Sequence, residues 1–168
     1  MLVSQGEEVV MGSVGAYDWA GAVTVASITG TTTTTTTRTT TTTNTTTTTT
    51  ATINPTPQPT DSYLGYAVTV VMVDITTALY AVGAPRHEHR GQVLLMMAET
   101  LKAGGQEAPI PLYQQLAGDQ IGAYFGSELC AVDEDGDGVT DVLLVASPLY
   151  HDEGEEGRVH LYRLERST

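Results

Sequence analysis

The chain contains a single cysteine, Cys130, among 168 residues, which excludes an internal disulfide. The strand-like run around it, ELCAV, marks it as a small buried hydrophobe rather than a reactive thiol. Basic residues are also scarce: seven Lys and Arg stand against 20 Asp and Glu, for a formal net charge of −13. A surface so acidic excludes nucleic acid and anionic membrane as partners. No long apolar run is present; LGYAVTVVMV, the longest, is far too short to span a bilayer. The first ten residues, MLVSQGEEVV, lack both a basic segment and an apolar core, so no signal peptide is visible. The metal-hydrolase H-E-x-x-H, the nucleophile elbow G-x-S-x-G and the phosphate-binding G-x-x-x-x-G-K-[ST] are all missing, and no catalytic residue is assigned. What remains is enough for one domain with a real core, since 40% of the residues are hydrophobic although only 6% are aromatic.

The acidic residues are unevenly placed, half of them lying between Glu128 and Glu156. At their centre DEDGDGVTD, Asp133 to Asp141, sets aspartates at positions 1, 3, 5 and 9. Carboxylates at this density repel one another, and a short loop holds them together when a cation sits between them. A hard ion such as Ca2+ takes six to eight oxygens, and alternating aspartates with Gly138 at the bend can wrap one centre. The expected ligands are Asp133, Asp135, Asp137 and Asp141, with the backbone carbonyl of Val139. An EF-hand would need a bidentate Glu at position 12, where Leu144 stands, and helices on both sides; the flanks ELCAV and DVLLVAS read instead as strands. The loop is therefore a strand-to-strand metal clip. His87-Glu88-His89 reads as a solvated turn after Pro85, without a third ligand at useful spacing, and His151 and His160 add none.

From Thr31 to Thr50 the chain is threonine apart from Arg38 and Asn44, and it leads into NPTPQPTDS. With no apolar face to bury, this segment reads as a disordered Thr/Pro-rich linker over residues 31–62. Asn44-Thr45-Thr46 is an N-glycosylation sequon, whereas Asn54 precedes Pro55 and is excluded. Elsewhere the chain repeats itself. YLGYAVTVV at Tyr63 is echoed by YFGSELCAV at Tyr124, an offset of 61 residues, and VGAPRHEHRGQVLLM from Val82 by VASPLYHDEGEEGRVHLY from Val145. A third copy, VGAYDWAGAVTV, begins at Val14. Short strands in units of this length, without helical periodicity, predict the four-stranded blades of a β-propeller.

Phe125-Gly126 together with Gly83-Ala84-Pro85 and the intervening aspartate loop resembles the FG-GAP repeat of integrin alpha subunits. VGAYDWAGAV, YLGYAVTV, GAPRHEHRGQVLL and QIGAYFGSELCAVDEDGDGVTDVLLVASPLY are together similar to the propeller of the leukocyte-type, I-domain-containing alpha chains, alpha-L-like, at blades 3 to 5. The resemblance implies an all-β fold, a partial β-propeller with one complete and two incomplete blades: residues 1–30 an incomplete blade, 63–118 a complete one with strands near 64–73, 77–84, 91–98 and 110–116, and 119–168 a calcium-binding blade lacking its last strand. It implies a non-enzymatic part in cell adhesion, on the extracellular side of a type I membrane protein, paired with an integrin beta subunit and making no direct membrane contact. It further implies that Phe125 and Leu64 face the central channel, where alpha subunits cage a basic residue of the beta subunit. Two other readings fit the same repeats: the FG-GAP domain of a secreted hydrolase similar to glycosylphosphatidylinositol-specific phospholipase D, and a truncated gene product.

Overall fold

The computed structural model describes residues 2–5, 8–33, 42–53, 59–97 and 112–165, and these form three antiparallel sheets. The first contains β1 (Leu2–Gln5), β2 (Glu8–Ser13), β3 (Ala22–Thr33) and β4 (Thr42–Ile53), in that spatial order. The second contains β5 (Val68–Met72), β6 (Ala78–Ala84), β7 (Gln92–Met97) and β8 (Leu112–Ala117), again in chain order. The third has three strands, β9 (Leu129–Val132), β10 (Val142–Asp152) and β11 (Glu155–Arg163). Each sheet is an up-and-down meander, as the blade pattern predicts for an all-β partial propeller. Among the described residues the only helical element is a 3-10 turn at His87–His89, and no helix is long and apolar enough to cross a membrane.

The second sheet has four strands and the third has three. The first sheet and the threonine tract differ from expectation. Leu2–Gln5 supplies an inner strand, pairing Leu2 with Met11, and the threonine segment supplies an outer one, pairing Val23 with Ile53 and continuing to Thr33 opposite Thr42. β-Branched threonine favours extended backbone, and a ladder anchored at Val23 satisfies the N–H and C=O groups without needing an apolar face on its outer half. The linker expected over residues 31–62 therefore contains strand at Thr31–Thr33 and Thr42–Ile53, and Asn44 of the sequon lies in β4 opposite Thr31. Residues 34–41 and 54–58 of that tract lie outside the described residues.

The core lies between the sheets. Val10, Val23 and Val25 of the first pack with Leu64, Val68, Tyr80, Val82, Leu94 and Met96. On the other face of the second sheet, Ala67, Val71, Leu79, Ala81, Val93 and Leu95 pack with Phe125, Leu129, Leu143 and Val145 of the third unit. Strand alternation explains the division, since Leu79 and Ala81 face one neighbour and Tyr80 and Val82 the other. Every residue of β6 is buried, as expected for a strand covered on both faces. The sheets are also stitched by backbone: Gly21 bridges Leu64 and Gly91 bridges Phe125, both in parallel.

Leu64 and Phe125, expected to face a channel, are 0% and 1% exposed within these two clusters. They are interlocking core residues between blades. The residues just before them, Tyr63 and Tyr124, adopt left-handed backbone with φ of 61° and 63°, which turns each tyrosine away from the core while the next side chain enters it. Cys130 also departs from the buried reading: it is exposed, because alternation in β9 sends Leu129 inward and Cys130 to the opposite face.

Candidate functional site: the aspartate hairpin

The loop Asp133 to Asp141 joins β9 to β10 and closes where Asp141 N–H donates to the Val132 carbonyl at 2.9 Å. Each aspartate takes a defined place. Asp133 accepts the Gly136 N–H on Oδ1 at 2.7 Å and the Gly138 N–H on Oδ2 at 2.8 Å. Gly136 and Gly138 have φ of 77° and 85°, which lets the chain curl around that carboxylate without a side-chain penalty. Asp141 Oδ2 accepts the Glu134 N–H at 2.8 Å, Asp135 Oδ1 accepts the Asp137 N–H at 3.2 Å, and Asp137 Oδ1 accepts the Val139 N–H at 2.8 Å. The donation from Gly138, aided by that from Gly136, holds the Asp133 carboxyl below the usual carboxylate range, against the opposing influences of burial and Asp141.

Carboxylate oxygens of Asp133, Asp135 and Asp141 lie within 4.8 Å of one another. Three anionic oxygens at that separation repel strongly, and an oxygen-only donor set suits a hard divalent ion of the Ca2+ class. The loop's backbone is already curled around these carboxylates, so the residues present fit such an ion. Of the expected ligands, the structure brings these three together. Asp137 stands outside the trio, with its carboxylate on the Val139 N–H, while Val139 is buried at the base of the loop. Glu134 points away from the trio and pairs with Arg163 of β11 at 3.2 Å.

Sequence reasoning missed Thr140. It is 6% exposed, donates its N–H to the Met72 carbonyl at 2.8 Å, and accepts the Met72 N–H on Oγ1 at 3.0 Å. Its position between two expected ligands was the available signal. A second surface was missed as well. Trp19 and Tyr63 have ring centroids 5.8 Å apart, Tyr66 and Tyr124 meet edge-on at 5.6 Å, and the Arg86 guanidinium lies 4.8 Å over the Tyr63 ring while donating to its hydroxyl at 2.9 Å. The YLG and YFG echoes marked two of these tyrosines.

The histidines divide. His87 and His89 lie in the 3-10 turn after Pro85, where His87 stands 4.0 Å from Glu88 and its pKa is lowered mainly by burial. His160 shares a 3.0 Å hydrogen bond with Ser147 and packs edge-on to Phe125 with centroids 5.0 Å apart. The described residues hold no other trio of potential metal ligands besides the aspartates.

Residues 125–162 match the FG-GAP repeat model. That span runs from Phe125 through the aspartate hairpin and both long strands of the third sheet. The chain is 43% identical to integrin alpha-E of Homo sapiens over 157 residues, 94% of its length. It is 38% identical to human integrin alpha-11 over 160 residues and 39% identical to human integrin alpha-10 over 156. The chain is a segment of integrin-alpha-type propeller. It spans 12% of the length of these curated relatives. Gly126 of the Phe-Gly in one blade sits against Gly83 of the Gly-Ala-Pro in the blade before it. In this integrin-alpha-type segment Phe125 and Leu64 are the inserted side chains, and Gly126 and Gly65 bring the backbones together.

Proposed function

We propose that this segment serves as a structural part of an integrin-alpha-like propeller, supporting cell adhesion through pairing with a beta subunit outside the cell, and that its aspartate hairpin holds a structural Ca2+. It performs no catalysis in this reading. The convergence of Asp133, Asp135 and Asp141 in a strand-to-strand turn carries the metal assignment. Asp133, Asp135 and Asp141 would hold the ion, with Asp137 and the Val139 carbonyl completing the expected set. A bound ion would supply charge neutralisation that lets the carboxylates stay together. Asp133 shapes the loop through Gly136 and Gly138, and Glu134 remains on Arg163 outside the site.

For beta-subunit contact the surface of Trp19, Tyr63, Tyr66 and Tyr124 replaces Leu64 and Phe125. Exposed aromatic rings suit a basic side chain, and Trp19 and Tyr66 are 54% and 41% exposed.

Extracellular calcium modules bind with constants of about 0.1 to 1 mM. At about 1 mM free Ca2+ and a constant near 0.1 mM, linkage stabilises the folded blade by roughly 1.4 kcal/mol. Calorimetric titration of the whole chain with Ca2+ tests the assignment. Asp135→Ala should weaken binding severely, Asp137→Asn mildly, and Glu134→Gln hardly at all. Equal losses for Asp135→Ala and Glu134→Gln would show a diffuse acidic patch instead.

A further inference from the structure

The hairpin's base is tied to the neighbouring blade as well as to its own tip. Thr140 spends its backbone N–H and its side-chain oxygen on one residue, Met72, the last residue of β5, using both the carbonyl and the N–H of that residue. β5 is the edge strand of its sheet, so a residue of the third unit caps the end of the second sheet's edge. Thr140 lies between Val139, whose N–H goes to Asp137, and Asp141, whose N–H goes to Val132 and whose carbonyl accepts the Leu164 N–H at 2.9 Å. Loop curl, blade closure and blade-to-blade seating therefore share three consecutive residues.

We infer that Thr140 is a positioning residue that couples the order of the Asp133–Asp141 loop to the seating of its blade on Met72 of the preceding one. The loop cannot uncurl without rotating the Thr140 backbone, and that rotation removes both bonds to Met72. In the reverse direction, seating on Met72 fixes the peptide that leads into Asp141 and so preorganises the carboxylate trio. A divalent ion in the hairpin then acts as a clasp between blades as well as a clip within one. The metal half of this inference rests on the calcium reading above; the contact itself does not.

Amide hydrogen exchange at Met72 in the full chain reads the coupling with and without Ca2+. Without the ion, Asp133→Ala, which removes the acceptor for Gly136 and Gly138, should speed exchange at Met72. Thr140→Val should speed it directly and Thr140→Ser should restore it. With Ca2+ added, exchange at Met72 should slow in the natural chain and not in Thr140→Val, whose Ca2+ affinity should fall by up to about tenfold for the loss of one buried hydrogen bond. Met72 exchange indifferent to Asp133→Ala overturns the coupling. If the natural chain takes up no Ca2+ while Met72 still responds to Asp133→Ala, the calcium reading fails and the coupling stands. Circular dichroism of each variant separates these outcomes from global unfolding, and Thr140→Ser behaving like Thr140→Val would leave the side-chain oxygen without a role.

Discussion

Gly83 of β6 and Gly126 of the following blade meet backbone to backbone, leaving no room for a Cβ on Gly83, which would fall inside the carbonyl oxygen of Gly126. Gly12 and Gly65 repeat the contact between the first and second blades. Gly83 has no left-handed backbone to protect, so its identity is set by space alone. Gly83→Ala should therefore destabilise the chain by about 3 kcal/mol or more, since the obstacle is backbone that cannot rotate away. Gly122→Ala is the control: its φ is 79° but nothing lies near its Cβ, so strain alone should cost about 1 kcal/mol. Denaturant melts of both variants decide the matter; similar midpoints would mean that the blades move apart freely.

Much of this arrangement was readable in the residues. Alternation in ALYAVGA and the spacing between YLG and YFG are backbone-level signals, and β6 and the two blade junctions follow them closely. What was hidden depended on partners distant in sequence. The direction of Leu64 and Phe125 is decided by the left-handed φ of the tyrosines before them, which no composition rule anticipates. The threonine tract was read by its lack of an apolar face, yet β4 is defined by hydrogen bonding to β3, which needs none. In the aspartate loop spacing pointed to Asp133, Asp135, Asp137, Asp141 and the Val139 carbonyl, of which Asp133, Asp135 and Asp141 converge. The role of Thr140 could not be read there, because Met72 is 68 residues away.

The two β-hairpins at corresponding places in the second and third blades close by different means. Between β5 and β6, Asp74 Oδ1 accepts the N–H groups of Thr76 and Thr77 and the Thr76 hydroxyl, at 2.7, 2.8 and 2.7 Å. Those bonds, the Thr76 hydroxyl foremost, hold the Asp74 carboxyl far below the usual range. One carboxylate needs no counter-ion, whereas in the proposed calcium reading the trio in the third blade takes one. Removing Ca2+ with a chelator should therefore speed amide exchange at Gly136 and Gly138 and leave Thr76 and Thr77 unchanged. Asp74→Ala should reverse the pattern. Equal responses of both hairpins to the chelator would refute the distinction.

His160 should make the third blade sensitive to mild acid. Burial against Phe125 and Tyr162 lowers its pKa; Asp119 opposes this and Arg158 adds to it. A depressed folded-state value means that the unfolded chain takes up the proton first, so stability is full above the ordinary histidine range and is lost as pH falls through it. His87, also lowered by burial, acts in the same direction. His160→Phe should flatten the dependence of stability on pH between about 7 and 5. An unchanged slope in the variant would assign the effect elsewhere, with His87→Phe the next test.

The third sheet presents an apolar outer face that the described residues do not cover. Val159 and Leu161 of β11 are 64% and 58% exposed, and Cys130 is exposed on the same sheet, whereas Leu129, Leu143 and Val145 on the opposite face are buried against the second blade. Among the described residues β11 is also an edge strand, and such an edge can pair with another chain. Contiguous apolar surface next to an open edge favours association, so this chain in isolation should self-associate with rising concentration. Replacing Leu161 with Lys and Val159 with Thr should suppress that association at little cost to folding, because neither side chain contributes to the two buried clusters. Sedimentation velocity of the natural and doubly substituted chains, each with Ca2+ present, provides the comparison. A natural chain that stays monomeric at high concentration would show that the outer face is stable in water as it stands.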